Sequence, residues 1–237
     1  MLIHKLLLLL LAGMSGGRWL TTQAADGFRI YVNDQPAGRE AFSVTKTEGR
    51  ITWTGRASLE LRSLLITIGS FTLITDAQHR PREAHVKATV GSSEQEIRTT
   101  FAEGKARNEI TVGGTTTTKE DAVSPDALVV LSNVPFFLYE VLAQRVDFSR
   151  TGPQEFRIYV LPQIELPLTV RVKGRERVSF ANRSDDLIHL ELALAQPAGQ
   201  TISMEMWMDD ARRLIKLVIP GPLFIEVYRE GYERPTE

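Results

Sequence analysis

The chain of 237 residues contains no cysteine and only four histidines. The absence of cysteine excludes disulfide bonds, thiolate metal ligands and a lipid-modified cysteine. A zinc site needs three or four converging side chains. Beyond the first 25 residues, the histidines His79, His85 and His189 lie far apart in the sequence and fall on turns or on the polar phase of strands. We therefore predict that the protein binds neither a metal nor a cofactor.

An excess of charge of one sign is also lacking, since 28 basic residues balance 29 acidic ones and the formal net charge is −1. Nucleic-acid-binding proteins carry a basic patch or stripe, so no nucleic-acid partner is expected. Catalytic motifs are missing as well. Gly69-Ser70 lacks the second glycine of a nucleophile elbow, and the carboxylates of Asp185-Asp186 or Asp209-Asp210 would point to opposite faces of a strand. We therefore predict a protein that is not an enzyme and name no catalytic residue.

Long apolar runs are confined to the N-terminus. Lys5 precedes the leucine run 6–11, and a small-residue stretch ends at Ala24-Ala25, which is the order of elements in a secretory leader. The run is shorter than the ~20 residues of a membrane-spanning helix. We predict a cleavable signal peptide over residues 1–25, cut after Ala24 or Ala25, with a retained membrane anchor as the alternative. Residues 26–237 would then be a single periplasmic or secreted domain without a transmembrane span.

Period-two alternation of apolar and polar residues dominates the rest of the chain. Phe28, Ile30 and Val32 alternate with polar neighbours, and the segments 188–194 and 202–208 repeat the pattern. Such alternation, bounded by turn residues, predicts antiparallel strands with one wet and one dry face. We predict ten or more strands in one long meander, interrupted by a mobile surface loop at Thr115–Thr118.

The alternation breaks at one apolar segment. Residues 134–145 predict a helix, with Ser132 or Asn133 as its N-cap and Pro135 in its first turn, where the missing N–H of proline costs nothing. A helix that is apolar on nearly every side is buried. The predicted fold is therefore all-β (β-rich with one helix): a long antiparallel meander curled into an unclosed half-barrel around a single apolar helix.

Apolar and aromatic side chains would converge inside this half-barrel. Three methionines share one face of a late strand, and such flexible side chains repack around guests of different shape. Ligand pockets are mostly apolar with few polar groups. The predicted ligand-binding residues are therefore Trp53, Phe136, Phe137, Tyr139, Leu142, Met204, Met206 and Met208, although the same residues would equally form an ordinary closed core.

Two stretches resemble a known family. They are Phe28–Val32, followed by Gly38-Arg39-Glu40 and Phe42, and the late hairpin Trp207–Leu217 with its Asp-rich turn. Both are similar to segments of exported bacterial proteins of the lipoprotein-carrier type (LolA/LolB-like), including uncharacterised relatives. The resemblance implies an open antiparallel half-barrel wrapped around helical segments. The carriers have more than one helix in the concavity, whereas this sequence predicts one.

Two functions follow as expectations. The first is an exported, non-enzymatic binding protein that holds a lipid, a lipidated protein or another apolar ligand in a groove between the curved sheet and the helix. The alternative is a structural or interaction module of the cell envelope with a filled core and no ligand. In that case the strand rims and Thr115–Thr118 would contact an envelope protein partner.

Overall fold

The computed structural model describes residues 26–235 except Asn133. The predicted signal peptide lies outside the described residues. Within them, fifteen strands form one sheet. The strands are β1 Asp26–Val32, β2 Gln35–Thr47, β3 Arg50–Leu61, β4 Leu64–Asp76, β5 Pro81–Val90, β6 Ser93–Ala102, β7 Lys105–Val112, β8 Thr115–Ala122, β9 Leu128–Val130, β10 Gln154–Val160, β11 Ile164–Ser179, β12 Ser184–Ala195, β13 Thr201–Met208, β14 Leu214–Ile219 and β15 Ile225–Arg229.

The sheet is a meander in which the first strand, β1, pairs with the last strand, β15. It runs β8-β7-β6-β5-β4-β3-β2-β1-β15-β14-β13-β12-β11-β10-β9. Every pairing is antiparallel except that of β9 with β10. Since β8 and β9 are the two edges, the sheet is not closed into a barrel. The predicted fold class, an all-β (β-rich with one helix) unclosed half-barrel, is confirmed.

The apolar phase of the strands faces one continuous core. Phe28 and Phe42 come from neighbouring strands at the middle of the sheet, and Leu190 and Met206 lie directly opposite each other on β12 and β13. All four are buried. The alternation read from the sequence therefore assigns the dry face of these strands correctly, because in a pleated strand every second side chain points to the same side.

The helical segment is shorter than predicted. A 3-10 turn at Phe136–Leu138 is followed by the α-helix α1, Tyr139–Ala143. Pro135 has extended backbone angles and stands at the N-cap position without a side-chain cap. The predicted start at Val134 and the predicted cap at Ser132 are therefore wrong, and Asn133 lies outside the described residues. None of the helices in the described part of the chain is long and apolar enough to cross a bilayer.

The predicted mobile loop at Thr115–Thr118 is wrong, because these residues begin strand β8. Gly113 and Gly114 have positive φ angles of 56° and 81°, as a two-residue hairpin turn requires. The turn places Val112 opposite Thr115 and allows all of β8 to pair with β7. The run of threonines, which are β-branched, suits a strand.

Strand β11 is one strand of 16 residues whose pairing with β12 shifts between Val172 and Gly174. Gly174 has a φ of 112°, a conformation that favours glycine and that marks a bulge. The bulge breaks the alternation, and this explains why the sequence pattern appeared to stop and resume.

Candidate functional site

An apolar cavity of about 350 Å³ opens at one end of the half-barrel. Antiparallel pairing brings the ends of β10, β12 and β14 and the starts of β11, β13 and β15 to this end of the sheet. The segment that contains the helix closes the inner side. The residues that define this apolar cavity are Val130, Pro135, Phe136, Tyr139, Val160, Ile164, Leu166, Leu194, Ile202, Met204, Ile219 and Ile225, with Leu131, Ser132, Gln163 and Gln196 beside them.

The apolar cavity lacks charge. None of the described residues that line it is ionised at neutral pH. The Tyr139 hydroxyl donates to the sulfur Sδ of Met204 at 3.4 Å, and a thioether is a weak acceptor. Burial raises the pKa of Tyr139 to about 12, so that the phenol stays neutral. The wall therefore offers a guest mainly hydrocarbon contact, together with one hydroxyl whose hydrogen-bonding capacity is incompletely used.

The mouth of the apolar cavity carries exposed apolar side chains. Ile164 on β11 is 41% exposed, and Ile202 on β13 is 37% exposed. Both lie in the strand starts that surround the opening. Single exposed apolar residues are ordinary on protein surfaces, but apolar residues that surround a concave opening indicate a binding site.

The predicted ligand-binding residues are divided among three places. Phe136, Tyr139 and Met204 line the apolar cavity. Trp53 lines a second, smaller cavity at the opposite end of the strands. The other four are fully buried in the filled core and line neither cavity: Phe137, Leu142, Met206 and Met208. The Phe137 ring stacks on Phe42 at 5.0 Å between centroids and meets the edge of Phe71 at 5.8 Å.

A buried carboxyl group from the sheet holds the start of the helical segment. Glu40 on β2 is 3% exposed and accepts hydrogen bonds from the backbone N–H of Phe136 at 2.5 Å and of Phe137 at 3.1 Å. Burial raises the pKa of Glu40 to about 8, although the two N–H groups act in the opposite direction. Glu40 thus supplies the N-terminal cap that the sequence assigned to Ser132 or Asn133.

A second buried carboxylate holds the helix itself. Glu140 of α1 accepts hydrogen bonds from the guanidinium of Arg229 and from the backbone N–H of Leu214. The same guanidinium donates to the Asp26 carboxylate at the start of β1. Burial raises the pKa of Glu140 to about 7, and the charge of Arg229 opposes this rise. The contacts fix the helix against β14 and β15, and with it the Tyr139 side chain at the cavity.

These anchoring residues were not identified in the sequence. A signal was present, since Glu40 shares its strand face with Phe42, and Arg229 shares its face with Val227. A charged residue on the apolar phase of a strand is buried, and a buried charge requires a partner.

The three histidines in the described part of the chain do not converge. His85 on β5 contacts Glu96 at 2.7 Å. The His189 ring stacks on Trp207, with 4.6 Å between the ring centroids, and its two nitrogens face Glu176 and Glu205. Among residues 26–235 other than Asn133, no group of three or more histidine, aspartate or glutamate side chains is placed to hold a metal ion.

The fold and the cavity define an open β-barrel-like protein. Its structure is similar to that of the β-barrel-like protein of domain of unknown function DUF1849 from Brucella abortus, with a TM-score of 0.58 at 10% identity, over 88% of this chain and 97% of that one. A DUF1089 family protein from Pseudomonas aeruginosa matches at a TM-score of 0.42 and 15% identity, over 78% and 90% of the two chains. No protein-family model matches the chain, and no curated protein sequence is similar to it.

The first of these similarities supports the open β-barrel-like fold and nothing finer. At 10% identity it carries no information about a ligand or a reaction. The resemblance to lipoprotein carriers of the LolA/LolB type is not confirmed.

Proposed function

We propose that the protein is an exported, non-enzymatic binding protein that holds the hydrocarbon part of a lipid, of a lipidated protein or of another apolar molecule in the apolar cavity. The observation that carries the proposal is the cavity itself: about 350 Å³, without charge in its described wall, and open between Ile164 and Ile202. Ligand sites commonly have volumes of 300 Å³ or more with mostly apolar walls.

The contacts indicate how a guest would be held. An apolar chain entering the opening between Ile164 and Ile202, at the starts of β11 and β13, would pass the rim residue Ile202. It would then reach Met204 and Tyr139. Burial of hydrocarbon contributes roughly 25 cal/mol per Å². The Tyr139 hydroxyl, whose acceptor among the described residues is the sulfur of Met204, would donate to an ester or carboxyl oxygen of the guest. The methionine side chain would adapt to chains of different shape.

The proposal is tested with the protein of residues 26–237, purified without detergent from its own envelope fraction. Native mass spectrometry should show a discrete additional mass of lipid size. A fluorescent fatty-acid probe should bind with saturation, and Ile202→Glu should weaken this binding about tenfold or more, because it places a charge at an apolar entrance. Ile202 is 37% exposed, so the folded state accommodates the substitution.

Val112→Glu is the matched control. Val112 on β7 is exposed to a similar degree, 43%, and lies outside the apolar cavity. Probe binding by Val112→Glu should equal that of the unmodified protein. A bare mass together with no saturable probe binding would refute the proposal, as would equal binding by the two glutamate variants.

A second function, that of an interaction module of the cell envelope, is favoured by one observation. Strand β8 is one of the two edge strands of the described sheet, and its residues Thr115–Glu120 are all exposed. Free edges with unpaired N–H and C=O groups accept strands from other proteins. This function predicts cross-linking of an envelope protein through a photoreactive residue at position 118, and a bare mass in the native spectrum.

A further inference from the structure

A second cavity lies at the opposite end of the strands from the apolar cavity. It has a volume of about 190 Å³. Its walls come from the starts of β1 and β14, the ends of β2 and β15, the start of β3 and the end of α1. The residues that define this charged cavity are Asp26, Phe42, Ser43, Val44, Lys46, Trp53, Glu140, Gln144, Ala211, Arg213 and Arg229.

The carboxylates of the charged cavity already have a cationic partner. Asp26 and Glu140 both accept from the guanidinium of Arg229, which is buried between them. In addition, burial raises the pKa of Glu140 to about 7, so that this carboxyl carries only part of a negative charge at neutral pH. Arg229 therefore compensates one of the two carboxylates, and the raised pKa of Glu140 leaves the group with only a fraction of a negative charge at neutral pH.

The remaining cations of the wall are Arg213 and Lys46. The Nε–H of Arg213 donates to Oδ2 of Asp209 at 2.7 Å, and a terminal guanidinium nitrogen of Arg213 lies 2.6 Å from the same oxygen. Arg213 is therefore already paired. Lys46 is exposed at the rim, and the described residues place no acidic side chain within ion-pair distance of its ammonium group. The ammonium group of Lys46 is thus a positive charge at the opening that no ion pair among the described residues compensates.

Apart from the neutral polar side chains of Ser43 and Gln144, the rest of the wall is largely apolar. The side chains of Phe42 and Val44 on β2, the indole of Trp53 on β3 and Ala211 provide hydrocarbon and aromatic surface. Trp53 is 3% exposed and therefore has a fixed position. A guest that suits both parts of the wall has a compact apolar body and one negative group. About six water molecules would occupy the same volume, which limits the guest to a small molecule.

We propose that the charged cavity binds a small organic monoanion, a carboxylate with a compact apolar body, whose negative group lies beside Lys46 and whose body packs on Trp53. This site is separate from the apolar cavity, since the filled core around Phe137 lies between them. The inference does not depend on the function proposed above.

The test uses Trp53 as a reporter. In the protein of residues 26–237 carrying Trp207→Phe, Trp53 is the single tryptophan. Benzoate should change its fluorescence in a saturable way with one site, whereas benzamide, which has the same shape without the charge, should bind at least about tenfold more weakly. Higher salt should weaken benzoate binding, because the ammonium of Lys46 is exposed to solvent.

Two lysine variants complete the test. Lys46→Gln should weaken benzoate binding about fivefold or more, since it removes one charge-assisted contact. Lys87→Gln on the other half of the sheet, which lines no part of the charged cavity, should bind like the parent protein. Equal affinity for benzoate and benzamide, equal effects of the two lysine variants, or no saturable change would each overturn the inference. Ile202→Glu should leave benzoate binding unchanged, which separates this site from the lipid proposal.

Discussion

The carboxyl group of Glu40 accepts a hydrogen bond from the backbone N–H of Phe136, 96 residues further along the chain. A side chain of β2 thus caps a helical segment inserted between β9 and β10. The first N–H groups of a helix have no partner within it. Here they are buried among apolar side chains, so that the cap from the sheet determines where the segment starts and where Phe136 and Tyr139 lie in the apolar cavity.

Two substitutions of Glu40 should distinguish the contribution of its hydrogen bonds to stability from that of its side-chain volume. Glu40→Ala leaves the N–H groups of Phe136 and Phe137 buried without an acceptor, and we expect a loss of about 2–4 kcal/mol of unfolding free energy. Glu40→Gln keeps an acceptor oxygen and should cost about 1 kcal/mol or less at neutral pH. Urea denaturation measures both. Glu60→Ala, at an exposed strand position, serves as the control and should change stability by no more than about 0.5 kcal/mol.

The pH dependence of stability should carry the signature of Glu40. Burial raises the pKa of this carboxyl from 4.5 to about 8, so the folded protein retains a proton that the unfolded chain releases. The stabilisation is complete below about pH 4.5 and is lost as the pH rises through about 8, because the unfolded state then binds fewer protons. Glu140, with a pKa raised to about 7, acts in the same direction.

Glu40→Gln should remove the Glu40 part of this slope. Its unfolding free energy relative to the parent protein should therefore improve steadily from pH 5 to pH 8. Urea denaturation at pH 5, 6.5 and 8 gives the comparison. Parallel pH profiles for the two proteins would contradict a raised pKa at Glu40.

The dry faces of the strands followed from sequence alternation, but the anchoring of the helix did not. Residues 204–208 alternate regularly, and their methionines face the core as predicted. Glu40 and Arg229 anchor the helical segment through hydrogen bonds to residues far away in the sequence. Local periodicity cannot reveal such partners. Similarly, the bulge at Gly174 interrupts the alternation within β11. The hairpin at Gly113-Gly114 was missed because Thr115–Asp121, nearly the whole of its second strand, contains no apolar residue.

The close approach of Phe137 to strand β3 should make Gly55 sensitive to substitution. A Cβ atom at Gly55 would lie well inside van der Waals distance of Cε1 of Phe137. Since Phe137 is stacked on Phe42 and cannot withdraw freely, we expect Gly55→Ala to cost about 1–3 kcal/mol by overpacking. Thermal or urea denaturation measures the loss.

Gly69→Ala on β4 is the control, because its added Cβ would meet the carbonyl of Lys87 at an ordinary 3.8 Å. Phe137→Leu should rescue part of the loss in the Gly55→Ala background, so that the double variant is less destabilised than the sum of the two single ones. Simple additivity would mean that the ring does not oppose the new methyl group.

The gap between the two sheet edges is bridged by side chains. The Tyr159 hydroxyl on β10 donates to Asp121 of β8 at 2.6 Å and accepts from Asn108 of β7 at 2.8 Å. Asn108 is fully buried, and burial together with Asp121 raises the pKa of Tyr159, so the phenol remains a donor. Lys119 adds hydrogen bonds at 3.1 Å to the carbonyl groups of Pro162 and Gln163.

Removal of the Tyr159 hydroxyl should therefore release β8 without unfolding the core. Tyr159→Phe keeps the ring and leaves Asn108 and Asp121 without this partner, at a cost of about 1–2 kcal/mol. Amide hydrogen exchange should accelerate about fivefold or more in β8 and the adjoining part of β7, and remain unchanged in β4, because edge strands open locally. Tyr31→Phe, on the outer face of β1, should leave β8 exchange unaltered. Uniform acceleration across the sheet would show instead that β8 opens only when the whole sheet unfolds.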